Sequence, residues 1–265
     1  MSTPIAVTIA GSDSSAGAGI EADLKTFSAL GVYGATVITA LTAQNTGGVF
    51  AIHDVPSDFI AAQINAVFTD LDVQAVKIGM LGNAPTIEVV GAALDRFRAR
   101  NVVLDPVLVA SSGERLLRQD ALSDLRDLIS RVDVLTPNLA EAAELLGTTP
   151  ARDENDMRVQ AQKLLTLGAG AVLIKGGHGE GPESVDFLVE DDTCLRLVAP
   201  RLVVKNSHGT GCTLSSAIAA GLAKGLALAE AAQQAKSYVS AALAAADRLS
   251  VGSGRGPLHH FHAWW

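Results

Sequence analysis

The sequence predicts an α/β fold: a mainly parallel central sheet with helices on both faces and an antiparallel edge hairpin, in a single domain over 1-265. Three observations carry this. Short β-branched runs alternate with longer segments whose apolar residues recur at helical spacing, as in successive strand–helix units wound right-handed. The hydrophobic fraction is 48% and the mean hydropathy +0.30. That content is mostly Ala, Val and Leu, which suits a sheet buried on both faces. Lastly, the alternation breaks near residue 184, where two strand-like runs are separated only by Glu190-Asp-Asp-Thr193.

The elements follow in order. Pro4–Ala10 is an apolar run ending at Gly11, hence a buried strand. After a Gly/Ser loop, Gly19–Leu30 carries Ile20, Leu24, Phe27 and Leu30 at helical spacing. Ala35–Thr42 and Gly48–Val55 read as strands, Asp58–Thr69 as a helix and Ala75–Ile78 as a strand. Ala84–Arg98 reads as a helix with Pro85 in its first turn. Val102–Leu104 and Val132–Leu135 are strands flanking a helix at Leu122–Ile129. Leu139–Leu146 is a helix closed by Gly147. A helix over Asp153–Leu167 precedes the strand Ala171–Ile174. Ser184–Val189 and Cys194–Val198 form the hairpin. Thr213–Lys224 and Leu228–Leu249 are Ala-rich helices able to pack closely. No linker, repeat or low-complexity segment interrupts this order.

Composition narrows the function classes. The net charge is −8 with Lys and Arg scattered, a poor footprint for a nucleic-acid partner. A bound phosphate must therefore be held locally, by backbone amides and one or two cations. No apolar run nears the ~20 residues of a membrane span. Met1–Ile5 has no basic start and Ile5–Ala10 is too short for a signal core, so the chain reads as cytoplasmic. Cys194 and Cys212 form no CxxC or zinc spacing, and no disulfide is expected.

The loops after the strands carry the candidate chemistry, because ligands of such sheets bind beyond the strands' carboxyl ends. Asn206-Ser-His-Gly-Thr-Gly-Cys-Thr-Leu-Ser215 leads into a helix. Gly209 and Gly211 allow successive N–H groups, with Thr210 between them, to converge as an anion cradle at the helix N-terminus. Cys212, in that first turn, is expected to have a pKa below the free value of ~8.5 and to serve as a base. A glycine turn beside an inert buried Cys is the plain alternative on local sequence alone. Gly17-Ala-Gly19-Ile-Glu-Ala22 matches a dinucleotide fingerprint, but the next strand ends at Ala40-Leu-Thr-Ala-Gln-Asn-Thr46 with no carboxylate until Asp54, and the loop from Gly11 is long. A substrate-cradling glycine loop fits better than an oxidoreductase. Gln44 ends the second strand with an amide suited to the nitrogen and amino edge of a pyrimidine. Asp105, Asn138 and Glu141 stand at strand ends, where they could organise a hydrated Mg²⁺ or simply cap a helix. Lys175, before Gly176-Gly177, is placed to reach an ATP phosphate.

With these loops in view, the chain resembles the hydroxymethylpyrimidine/phosphomethylpyrimidine kinases of thiamine synthesis, in the ribokinase-like superfamily. The resemblance runs through Ala10–Lys25, Thr39-Ala-Leu-Thr-Ala-Gln-Asn-Thr46, Val76-Lys-Ile-Gly-Met-Leu81, Asp105-Pro-Val-Leu-Val-Ala110, Leu135–Gly147, Lys175-Gly-Gly-His178, His208-Gly-Thr-Gly-Cys-Thr213 and Gly256–Trp265. It implies two ATP-dependent phosphorylations at one site, with Cys212 as base and Gly209, Thr210 and Gly211 as the anion hole. It further implies Gln44 on the pyrimidine, Gly11, Ala18, Met80 and Val107 lining that pocket, and Asp23 nearby. The cofactors are ATP and Mg²⁺, with Asp105 and Glu141 as metal ligands; a homodimer is left open. Two positions depart from the pattern: Ser111, where relatives carry Lys, and Glu21 for Gln, expected on the outward helix face. Pyridoxal kinase is the alternative enzyme, and a non-catalytic pyridoxal- or nucleotide-binding regulator the alternative from another class.

Overall fold

The structure, a computed structural model, describes residues 3–110, 112–177, 181–191 and 193–265. Ser111 and His178, both singled out above, lie outside the described residues. The strands are β1 (Ile5–Asp13), β2 (Tyr33–Asn45), β3 (Gly48–Asp54), β4 (Ala75–Ile78), β5 (Val102–Leu104), β6 (Val134–Leu135), β7 (Ala171–Lys175), β8 (Glu183–Glu190) and β9 (Thr193–Pro200). The helices are α1 (Gly19–Ala29), α2 (Ser57–Asp70), α3 (Ala84–Phe97), α4 (Leu122–Ile129), α5 (Leu139–Leu146), α6 (Glu154–Leu165), α7 (Thr210–Ala223) and α8 (Leu228–Ala244).

Among the described residues all nine strands join one sheet in the order β3-β2-β1-β4-β5-β6-β7-β8-β9. The pairs from β2 to β7 are parallel. The expected hairpin β8–β9 forms one antiparallel edge. The other edge is antiparallel too, because β3 folds directly back on β2 through Asn45 and Gly48. The two-residue gap leaves no room for a crossover helix. The long final helix ends at Ala244, and a 3-10 turn at Ala246–Arg248 takes over its last residues.

Side-chain alternation sorts the strands' residues between two cores. Val7, Ile9, Val76, Ile78, Leu104, Val172 and Ile174 pack with residues of α2 to α6, including Ile60, Val90 and Leu128. Ala6, Ala75, Val103, Val134 and Leu173 face α1, α7 and α8 through Phe27, Ile218, Ala231 and Val239. Small residues draw α7 and α8 together: a Cβ on Gly221 would lie 2.8 Å from that of Ala231. Chain direction reverses its march across the sheet at β1 and β4. The crevice beyond their carboxyl ends is therefore the predicted ligand site, and the glycine loop, Gln44 and the acidic strand ends all open onto it.

Candidate active site

A cleft of about 900 Å³ runs along these carboxyl ends. Of the residues picked out by sequence, Gly11, Ala18, Gln44, Met80, Asp105, Val107, Asn138, Glu141, Lys175, Gly209, Thr210, Gly211 and Cys212 all line it. Asp23 does not.

The start of α7 forms part of the cleft wall. Gly209 caps this helix at φ +83°, and a Cβ there would stand 1.9 Å from Gly17 O, so the turn admits only glycine. No side chain caps the helix, and among the described residues no group accepts from the amides of Thr210, Gly211 or Cys212. A Cβ on Gly211 would meet Lys175 Nζ at 3.2 Å and Asp105 Oδ2 at 3.5 Å. Unpaired N–H groups, a helix dipole and an ammonium thus converge on one volume, which suits a phosphoryl group.

Lys175 ends β7 and donates to Asp105 Oδ1 at 2.7 Å, with Glu141 Oε2 3.9 Å away. Burial alone would lower the lysine's pKa, but the two carboxylates raise it, so it stays an ammonium. One cation cannot balance two buried carboxylates. Burial together with the Asp105 charge lifts Glu141 to about 7, against the pull of Lys175. Asn138 and Glu141 also form the capping box: Asn138 Oδ1 accepts from Ala140 N and Glu141 N, and Glu141 Oε2 accepts from Asn138 N at 2.7 Å. That commitment removes the Asn138 oxygen as a metal ligand. Asp105 Oδ2 and Glu141 Oε1 make no hydrogen bond to described residues.

Cys212 is half-buried in the cleft wall. The depressed thiol expected from its helix position is not found: burial pushes it up to about 11 and Asp23 and Asp105 add to the rise, against the pull of Lys77, Lys175 and an amide at Gly19. Below it, Asp23 is fully buried and accepts from Lys77 Nζ at 2.8 Å, Thr8 Oγ1 at 2.6 Å and Ser216 Oγ at 2.6 Å. Asp23 is thus the counter-ion of a buried lysine rather than a pocket residue. Burial would lower Lys77, yet the Asp23 carboxylate raises it and keeps it charged. The apolar strand Val76-Lys77-Ile78 held the signal for this pair, since a lysine in a buried strand needs a partner.

Sequence reasoning also missed Asp13 and His208. Asp13 Oδ2 lies 2.8 Å from His208 Nε2, which is 3.1 Å from Gln44 Nε2. Their signal was position: one ends β1, the other precedes Gly209. Glu21, expected to point outward, turns back to accept from Asp13 N at 2.8 Å, because a side chain in a helix's first turn can reach an upstream amide. At the far end of the cleft Lys236 donates to Asp186 Oδ2 at 2.7 Å and Ser184 Oγ at 3.0 Å, while Asp186 Oδ1 holds the amide of Gly176 at 2.9 Å. Apolar Leu202, Val239 and Leu243 line the cleft nearby. No helix among the described residues is long and apolar enough to cross a membrane.

Comparison with known proteins gives a consistent result. The family model for phosphomethylpyrimidine kinase matches residues 13–259. A hydroxymethylpyrimidine/phosphomethylpyrimidine kinase of Rhizobium meliloti is 58% identical over 264 residues, covering 99% of both chains. One from Escherichia coli is 52% identical over 261 residues, covering 98% of both. Among solved structures, an ADP complex of Bacillus subtilis pyridoxal kinase superposes with a TM-score of 0.90 at 35% identity, covering 99% of both chains. A phosphomethylpyrimidine kinase from Clostridium difficile gives 0.79 at 44% identity, covering 89% of this chain and 97% of that one.

Proposed function

Because this chain belongs to the phosphomethylpyrimidine kinase family, we propose that it phosphorylates 4-amino-5-hydroxymethyl-2-methylpyrimidine to its monophosphate, and the monophosphate to the diphosphate, for thiamine biosynthesis. The observation that carries the residue assignment is the convergence on one cleft of the unpaired α7 amides, Lys175 and Cys212. ATP is the phosphoryl donor. Its nucleoside end lies toward Leu202, Val239 and Leu243, and its γ-phosphate toward Gly209, Thr210 and Gly211. The pyrimidine lies between Gly11, Ala18, Met80 and Val107, with its polar edge on Gln44.

The chemistry of this arrangement is positioning and charge stabilisation. The amides of residues 209–211 and Lys175 receive charge as the phosphoryl group moves. Cys212, through its minor thiolate form, takes the proton of the substrate hydroxymethyl as that oxygen bonds to the γ-phosphorus and the bond from phosphorus to the bridging oxygen breaks, releasing ADP. Mg²⁺ would be held by Asp105 and Glu141, whose two uncommitted oxygens suit an ion that takes one or two carboxylates and completes its shell with phosphates and water; when bound it neutralises phosphate charge. Among the described residues no group of three His, Cys, Asp or Glu could by itself hold a metal ion.

The two steps make different demands. An alcohol must lose its proton, whereas a phosphate monoester is already an anion. Cys212→Ala is therefore expected to slow the first phosphorylation by a factor on the order of 10² to 10⁴ and the second far less, as read by ADP release with each substrate. Equal losses in both steps would reassign Cys212 to positioning, and no ADP release by the native protein with either substrate would refute the activity.

A further inference from the structure

Given the proposed reading that Gln44 meets the pyrimidine, specificity depends on which atoms of its amide face the substrate. Asp13 accepts from Ser15 N at 2.8 Å and Ser15 Oγ at 2.7 Å on Oδ1, and from Gly17 N at 3.1 Å and Ala18 N at 2.9 Å on Oδ2. A carboxyl ringed by donors is ionised. Burial would raise it, but these bonds and the one to His208 bring it to about 2. Asp13 is thus an acceptor only, and at 2.8 Å His208 Nε2 must carry a hydrogen.

The Gln44 amide lies 3.1 Å from that same nitrogen, and it has two orientations of nearly identical shape. With its nitrogen toward the ring, two donors meet. Its oxygen then faces Thr42 Oγ1 at 3.2 Å, although the single hydroxyl hydrogen of Thr42 already serves Ser12 O at 2.8 Å. With its oxygen toward the ring, the single Nε2 hydrogen of His208 is shared between Asp13 Oδ2 and the amide oxygen, the amide nitrogen donates to Thr42 Oγ1, and Thr42 donates to Ser12 O. Every hydrogen then has an acceptor, the arrangement that part-buried polar groups adopt. The backbone is fixed as well: Gln44 N donates to Ser14 Oγ, which donates to Gln44 O, both at 2.8 Å. A register shift between Ala43 and Gln44 in the β2–β3 ribbon re-aims the side chain into the cleft.

We propose that Asp13 and His208 are positioning residues that lock Gln44 with its carbonyl turned away from the substrate, so that the amide offers an N–H donor and selects a ring nitrogen with a free lone pair. Carbonyl recognition of an exocyclic amino group is the opposite arrangement, and the two are separable by substitution. In Gln44→Glu the carboxylate still accepts from His208 but supplies no N–H. We expect it to be as damaging as Gln44→Ala, lowering kcat/KM for the hydroxymethylpyrimidine by about ten- to a hundredfold, the worth of one buried hydrogen bond left unmade. The loss should fall on KM for the pyrimidine, with KM for ATP moving less than threefold. His208→Leu should give the same split, and His208→Gln, which keeps a donor, should recover part of it. Gln44→Glu with native KM would overturn the inference while leaving the kinase reading intact. Should Gln44→Ala leave KM for the pyrimidine unchanged, the reading beneath it fails as well. A direct check needs no variant to fold: ¹⁵N-imidazole spectra of the native protein should show His208 Nε2 protonated, and an unprotonated Nε2 would also sink the proposal.

Discussion

At the residue scale the site turns on a thiol held in its less reactive form. The helix start argued for a depressed pKa, and what outweighs it is burial together with two carboxylates, Asp23 and Asp105, contributed by elements far away in sequence. No local reading could have supplied them. Asp23, which the resemblance sets near the pyrimidine pocket, is buried against Lys77 and neutralises it. The raised thiol has a consequence for pH. A group at about 11 has little thiolate at neutrality, and its thiolate fraction climbs about tenfold per pH unit until that value is approached. In a Cys194→Ser background, which removes the exposed second thiol, alkylation of Cys212 by iodoacetamide should accelerate from pH 7 through pH 10 without levelling. A plateau below pH 9 would mean that the helix N-terminus prevails after all.

At the scale of elements the chain was largely legible. Strand and helix periodicities are written in the residues, and glycines and capping residues set their limits. The second antiparallel edge was less so, because a strand does not declare its partner's direction; only the short turn at Asn45 and Gly48 did. The cleft loops were legible as glycine-rich, and Gly209 shows what such a glycine is for. It shares φ +83° with Gly225, but a Cβ at Gly225 meets nothing within 4 Å, whereas at Gly209 it would strike Gly17 O. The pair separates backbone strain from steric exclusion. Gly225→Ala is expected to cost roughly 1–2 kcal/mol of stability, the left-handed penalty alone, with kinetics unchanged. Gly209→Ala should displace the anion cradle and lower kcat on the order of a hundred- to a thousandfold, the range seen when one such donor is lost. Similar kcat for the two variants would show that the cradle does not depend on the Gly209–Gly17 contact.

Across the whole molecule, the loop that leads into α7 is braced by residues near the C-terminus. His208 N donates to Gly256 O at 3.0 Å, Gly256 N donates to Asn206 Oδ1 at 3.1 Å, and Asn206 Nδ2 reaches Ala246 O and Leu249 O. Leu258 enters the α7–α8 core, and Tyr238 Oη donates to His260 O at 2.8 Å. Deeper in, His260 Nε2 lies 3.0 Å from Thr213 Oγ1, which donates to Gly209 O at 2.9 Å. The hydroxyl has one hydrogen, so His260 must be the donor in a chain ending on the glycine that caps α7. Burial, with Lys25 and His259 adding repulsion, pushes His260 down to about 4. Between that value and the ordinary 6.5 the unfolded chain binds a proton that the folded chain refuses. The stability from neutral His260 is therefore complete above pH 6.5 and declines as pH falls toward 4, by at most about 1.4 kcal/mol per unit. Glu141, raised to about 7, contributes the opposite slope over much of this range, so the native curve alone would mislead. The difference between the native protein and His260→Gln cancels that term. Measured by urea unfolding at fixed ionic strength, the native protein's advantage should shrink steadily from pH 6.5 to 4.5. An advantage that stays constant would mean that His260 takes up its proton without penalty, and that packing by Leu258, rather than a neutral imidazole, holds the loop in place.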